Sequence, residues 1–539
     1  MSDPVNGPRY WGQMTERAVN ERREAARECI FLGDHYQFGY PLLPPLSMWE
    51  RHGLIYGPPG SGKSVLAAQL VLQFLAYFYN VVVIDCKGSF VFLNNVLDFL
   101  KHTADAAGRL THDIRVFNPF SGYPSHIYNP LRQKVWRDAP SHIRAETLNE
   151  AAGIRGAEGT NTAFFAAMSF LCSADLVRWF PDMRSALEFF SIINDRELFG
   201  AKGGNLNDWN HSRHLAAALR QIAECGPPNA TPKALQQEIE LTDLFTSTRP
   251  QLQYFFLSAV ADQGTSALIG RILLQQIKRA AFSSRPHWNG RKTIIVCDEA
   301  QQLFGPMFGD VLEQLREFGV SLLMLHQSRG QLVTPLADFR ERFENAIGVQ
   351  ICLGARTPDE IKYLSDTDGE RIEYGLGWTQ PITGVGEKVM LHPRLSYQQN
   401  PWSDPQLINA SERVVPKLGR ETILNVSSDP QAGFIRGFLN EKLWAFNGSW
   451  VPFQWFHHLT FDEFRRFGKT YPEPLPGQDV YTSTIDPTDT PSDSYSSLTT
   501  NADVTEVTKA LRDIISKHPG KANSRLPKTP PGDSSNGQS

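Results

Sequence analysis

The chain has 539 residues, 53 basic and 57 acidic, for a net charge of −4, and at roughly 150 residues per domain it makes about three or four folded units. Its 41% hydrophobic content, with 33 Phe and 11 Trp, excludes wholesale disorder, and the near-neutral balance excludes binding nucleic acid by bulk charge, leaving only a local basic patch or a ring of identical subunits. Six scattered cysteines without C-x-x-C pairing imply a reducing compartment and no structural zinc, the polar residues 1–23 make no secretory signal, and the longest apolar stretch, 65–84, is broken by Gln69, Gln73 and Asn80 short of a membrane span.

Residues 14–29 have the spacing of a helix, and 30–43 read as short strands punctuated by Gly33, Gly39 and the Pro44-Pro45 pair. Next come a short apolar strand over 53–56, a glycine-rich turn, a helix from Lys63 to about Tyr79 and a buried strand over 81–85. Strand, helix, strand in that order packs as a parallel α/β unit, and strands over 254–257, 293–297, 321–325 and 349–353 fit the same sheet. Between 138 and 248 the pattern is helical with polar breaks such as Gly203-Gly204-Asn205 and Gly226-Pro227-Pro228-Asn229. After Pro401 the chain is rich in aromatic residues (Trp444, Phe446, Trp450, Trp455) and reads as a compact extension. Residues 471–501 are dense in Ser, Thr, Pro and Asp and are expected to be disordered, while Val504, Val507, Leu511, Ile514 and Ile515 recur at helical spacing. The resulting division is an N-terminal part (1–45), a first core part (46–138), an all-α insertion (139–248), a second core part (249–400), an extension (401–470) and a tail (471–539).

Chemistry enters at Gly57-Pro58-Pro59-Gly60-Ser61-Gly62-Lys63-Ser64, a complete G-x-x-x-x-G-K-S between a strand and a helix. Its glycines turn backbone N–H groups onto phosphates at a helix N-terminus, Lys63 reaches the β and γ oxygens of ATP, and the Ser64 hydroxyl serves Mg2+. A second element, the apolar run Thr293-Ile294-Ile295-Val296-Cys297, ends in Asp298-Glu299 at the strand edge that faces the ligand crevice of a parallel sheet. Asp298 is assigned to the metal through its water shell, and Glu299 to orienting and deprotonating the attacking water. Gln327 follows the strand 321–325 and is assigned to sensing the γ-phosphate.

Together these motifs resemble the HerA/FtsK division of P-loop ATPases and, within it, the type IV coupling proteins of conjugation (TraD/TraG-like). The resemblance rests further on His52 before the first core strand, Asp85-Cys86-Lys87-Gly88 after the second, Phe117-Asn118-Pro119-Phe120, Asn129-Pro130-Leu131 and the helical insertion, and it covers roughly residues 28–470. The chain departs from that family at Cys86 and Ser89, where Asp-Pro-Lys-Gly-Glu is usual, and by having no N-terminal transmembrane helices. The resemblance implies a RecA-like P-loop fold with a mainly parallel sheet, an ATP-hydrolysing DNA translocase working as a homo-hexamer, and relaxase or secretion-channel partners. It further implies a cytoplasmic location, with any recruitment to the inner membrane through a partner. Such motors complete each site with an arginine from the neighbouring subunit; Arg356 is the first choice and Arg271 the second. Two alternatives stand beside this reading, a HerA-like ring that processes DNA with a nuclease and an ATP-dependent assembly or protein-export switch that moves no nucleic acid. Residues 132–144, with Arg132, Lys134, Arg137, Arg144 and Trp136, have the composition of a phosphate-contacting segment but fit a solvated helix start better. His457-His458 has no partner at metal-ligand spacing.

Overall fold

The computed structural model describes residues 29–455 apart from 40, 89, 102–111, 121–124, 154–170, 174, 179–184, 202–203, 208, 231–237, 306–307, 334–337, 380–406 and 439–447. The expected helix over 14–29, Trp444 and Phe446, the His457-His458 pair and the whole tail with its amphipathic segment fall outside these residues, except that Cys29 itself is described.

Eleven strands form one sheet: β1 (Gly33–His35), β2 (Pro41–Leu42), β3 (His52–Tyr56), β4 (Asn80–Asp85), β5 (Asp113–Phe117), β6 (Gln251–Phe256), β7 (Thr293–Asp298), β8 (Val320–His326), β9 (Ile347–Cys352), β12 (Ala432–Gly437) and β13 (Trp450–Gln454), while β10 (Glu370–Thr379) and β11 (Leu407–Pro416) make a separate two-stranded ribbon. The order is β2-β1-β13-β12-β9-β3-β8-β7-β4-β6-β5. From β9 to β5 every neighbouring pair is parallel, and from β9 outward through β12, β13, β1 and β2 every pair is antiparallel.

The parallel strands have near-continuous apolar sequences because helices cover both faces of the sheet. Alternation sorts their side chains between two cores. Val81 and Val83 of β4 join Ile294, Val296, Leu323 and Leu325 on one face. There they pack under Leu66, Leu70 and Phe74 of α1 (Lys63–Ala76) and Phe92 and Val96 of α2 (Phe90–Lys101). Val82 and Ile84 face the other way with Ile295, Cys297, Leu322 and Met324.

That second core also takes in the helices of the insertion, α3 (Ser141–Ala151), α4 (Ala186–Asn194) and α5 (Trp209–Ala223), through Leu148, Phe189 and Leu219. The long α6 (Ala259–Ser283) contributes Leu268, Ile272 and Leu273, and α7 (Phe308–Leu315) contributes Phe308 and Leu312. Insertion and sheet therefore share one continuous apolar interior. Beyond β9 lie α8 (Pro358–Asp368), opened by a Thr357 and Glu360 capping box, and α9 (Arg420–Ser428).

His52 is the first residue of β3 and is a clamp within the core. It accepts at Nδ1 from the Leu322 amide at 3.0 Å and donates from Nε2 to the Leu312 carbonyl at 2.7 Å. Burial pushes its pKa down to about 4, so the ring is neutral. Among the described residues no helix is long and apolar enough to cross a membrane.

Candidate functional site

The C-terminal ends of β3, β8, β7 and β4 lie side by side, and the motif residues gather at that edge because each follows its strand. After β3 the chain turns through residues 57–62 into α1, with Gly60 and Gly62 in left-handed backbone at φ 79° and 83°. A side chain on Gly57 would overlap the Leu353 carbonyl, and one on Gly62 would overlap the Trp455 ring. Glycine at these two positions lets the loop backbone lie directly against its neighbours. The Ser61 hydroxyl is buried with no hydrogen-bond partner, an arrangement that costs about 1–3 kcal/mol unless an acceptor or donor arrives. Lys63 is buried at the start of α1 and donates to the carbonyls of Gly57 at 2.6 Å and Pro58 at 3.0 Å. Burial pulls its pKa down, against the pull of the nearby Glu299 and Asp298 carboxylates.

The acidic pair comes off β7. The Ser64 hydroxyl donates to Asp298 Oδ2 at 2.9 Å, joining the phosphate loop to the acidic strand across 234 residues of sequence. Burial, and then the negative charge of Asp85, push the Asp298 carboxyl up to about 6, while the Ser64 hydrogen bond opposes them. Glu299 has φ 55°, left-handed for a side chain with a Cβ, a conformation associated with functional strain. Gln327 Nε2 donates to Glu299 Oε1 at 3.2 Å, and Gln301 Nε2 donates to Oε2. Both carboxylate oxygens are held by amides. Gln327 is itself fixed by its own backbone N–H, which donates to Gln331 Oε1 at 2.7 Å, and the following turn is anchored by Arg329, stacked 3.6 Å over Tyr363 and paired with Glu344.

Lys63, Ser64, Asp298, Glu299 and Gln327 are therefore brought to one crevice. Arg356 is exposed on the loop between β9 and α8, where its amide donates to Glu360 and nearby Gly354 adjoins Pro58 of the phosphate loop. Arg271 lies elsewhere, on α6, where it donates to the carbonyls of Phe304 at 3.0 Å and Ala151 at 3.4 Å. In the segment 132–144, Trp136 is buried, Arg132 pairs with Glu238 at 3.5 Å and Arg144 donates to the Ala139 and Arg137 carbonyls. That arrangement leaves no indole face for a base.

Several contributors went unassigned in the sequence reading. Gln301 follows Glu299 by two positions as a lone glutamine without signal, whereas Gln331 follows Gln327 by four in a Gln-Leu pair that belongs to the resemblance but has no role assigned by it. Trp455 closes the side of the phosphate loop from the end of β13, a contact between opposite ends of the described chain that no local pattern announces. Asp85 had a signal, since the same Asp-x-Lys-Gly run that supports the resemblance places it in register with Asp298.

The residues fit magnesium and a nucleoside triphosphate by their donor set: a hydroxyl already bonded to a carboxylate, a lysine at a loop of inward glycines, and an unsatisfied buried hydroxyl. A magnesium ion at such a place takes few protein oxygens and relies on water and phosphate for the rest. Among the described residues no cluster of three His, Cys, Asp or Glu side chains is arranged for a metal.

No family model matches the chain, and no curated protein matches it. Solved structures do. The bacterial conjugative coupling protein TrwB, in its trigonal form with sulphate, aligns with a TM-score of 0.53 at 13% identity over 82% of this chain and 93% of that one. TrwB in complex with ADP and Mg2+ gives 0.52 at 13% over 82% and 94%, and its unbound monoclinic form gives 0.52 at 14% over 82% and 92%. The chain has the same fold, a RecA-like P-loop NTPase core with a mostly parallel sheet flanked by helices.

Proposed function

We propose that this chain is an ATP-hydrolysing motor that translocates DNA, built like the cytosolic part of a conjugative coupling protein and acting as a ring of identical subunits. The observation that carries the nucleotide chemistry is the hydrogen-bonded series Ser64–Asp298 and Gln327–Glu299, which sets a phosphate loop, a metal-holding acid, a base and an amide around one point. The shared fold with the conjugative coupling protein TrwB, solved with ADP and Mg2+, supports nucleotide binding and conjugation as the setting, while DNA as the moving substrate comes from the motif resemblance.

In this reading the loop amides of 57–62 and Lys63 hold the β and γ phosphates. Ser64 and Asp298 hold magnesium, which when bound neutralises charge on the phosphate oxygens. Glu299, oriented by Gln301 and Gln327, accepts the proton of the attacking water. Gln327 is the element that feels the γ-phosphate, because the same amide that bonds Glu299 can bond a phosphate oxygen instead, and Arg356 is assigned to the neighbouring subunit's site. The deciding experiment measures ATP turnover by the full chain with and without single- or double-stranded DNA at moderate salt. A several-fold stimulation that Lys63→Ala removes supports the motor. Turnover that ignores both DNA forms sinks translocation and favours an assembly or export switch.

A further inference from the structure

Resting on the reading of this crevice as an ATPase site, we propose that Lys87 is a second catalytic cation, contacting the terminal phosphate of the bound triphosphate from the β4 side while Lys63 holds it from the loop side. The turn that carries Lys87 is built tightly. Asp85 Oδ1 accepts the backbone N–H groups of Lys87 at 3.0 Å and Gly88 at 2.8 Å, and Asp85 Oδ2 accepts the Tyr254 hydroxyl at 2.6 Å. Gly88 has φ 70°, and a Cβ there would stand 2.5 Å from the Ser258 Cβ, so the turn admits only glycine and has little freedom. Asp85 is the direct β4 partner of Asp298 on β7. Lys87 thus leaves the sheet at the crevice edge, beside the metal-holding acid and the base.

Its side chain is exposed, and among the described residues no acceptor holds its ammonium. The ammonium is nevertheless near enough to act electrostatically on both Lys63 and Asp298. A cation with no internal partner, carried on a fixed turn at the edge of a site that must collect negative charge, suits the terminal phosphoryl group, on whose oxygens charge is spread in the transition state. It also gives the site a means of preferring a triphosphate to a diphosphate, because only the longer ligand extends to it.

The test uses the full chain with Lys87→Ala and Lys87→Arg, reading steady-state ATP turnover and the equilibrium affinities for ADP and a β,γ-imido ATP analogue. Removing one charge-stabilising donor should lower kcat by about 10²-fold. ADP affinity should stay within about threefold, the analogue should lose about tenfold relative to ADP, and Lys87→Arg should recover part of both. Lys87→Met, which keeps the aliphatic stem, repeats the measurement if the alanine variant folds poorly. A folded variant with parental kcat and an unchanged analogue-to-ADP ratio overturns the proposal while leaving the ATPase reading intact, and so does an equal loss of ADP and analogue binding. A parental chain that neither binds nor hydrolyses ATP overturns both.

Discussion

In the proposed function Lys63 and Glu299 bring opposite charges to one phosphate position, and their removal should differ in kind. Lys63→Ala deletes the main counter-charge to the β and γ oxygens, so nucleotide binding should vanish in a calorimetric titration. Glu299→Gln keeps the shape and the Ser64–Asp298 bond, so ATP should bind while turnover falls by about 10²- to 10⁴-fold. A different residue adds its own dependence on pH. Burial pushes the Asp34 carboxyl on β1 up to about 7, and its Oδ1 has no hydrogen-bond partner. The folded chain then holds that proton more tightly than the unfolded chain. The stability tied to it is complete below the ordinary value of 3.8 and is lost as pH rises to about 7. Asp34→Asn should therefore melt higher than the parent at pH 8 and show little gain at pH 4; equal shifts at both would mean that ionisation is not the cause.

At the scale of the element, the phosphate loop separates two demands on glycine. Gly60 and Gly62 are both left-handed, but the space beside Gly60 is open whereas the Trp455 ring fills the space beside Gly62. Gly60→Ala should cost about 1–2 kcal/mol of backbone strain in a denaturant titration, and Gly62→Ala should cost more and weaken nucleotide binding as well. The same contrast between local and distant causes explains what the sequence made legible. β3, β4, β7, β8 and β9 could be read because parallel strands buried on both faces are uninterrupted apolar runs, and α1 because glycine-lysine punctuation marks its start. The lysine, hydroxyl, acid and amide groups of the crevice could be read for a related reason, since each stands at or soon after the end of one of those runs. β5 could not, because Asp113 and Arg115 break its pattern at the sheet edge. β12 and β13 were hidden by Gly433 and Pro452, and their place in the central sheet depends on pairing with β9 and β1, which composition does not encode. His52 was legible as a landmark but not as a clamp, because its two partners, Leu312 and Leu322, are 260 and 270 residues away.

For the whole molecule, the ring remains the central expectation, and mixing two inactive proteins tests it. Arg356→Ala should bind ATP yet lose most turnover, and combining it with Glu299→Gln protein should restore a fraction, because some interfaces then pair an intact base with an intact arginine. An arginine finger contributes roughly 10³-fold or more, so a few repaired interfaces would stand above background. Unchanged turnover by Arg356→Ala alone removes it from the site. The sheet itself carries a consequence for the chain during its synthesis. β1, among the first described segments to leave the ribosome, has β2 on one edge but finds the partner of its other edge only in β13, and the residue after β13 is the one that flanks Gly62. At about 5–20 residues per second, the nascent phosphate loop waits on the order of tens of seconds with one side uncovered. Throughout that interval the β1 edge stays unpaired and the helices of the insertion are free to collapse onto a half-built face. A chain that ends shortly before Trp450 carries every nucleotide motif but lacks the Trp455 ring that covers one side of Gly62.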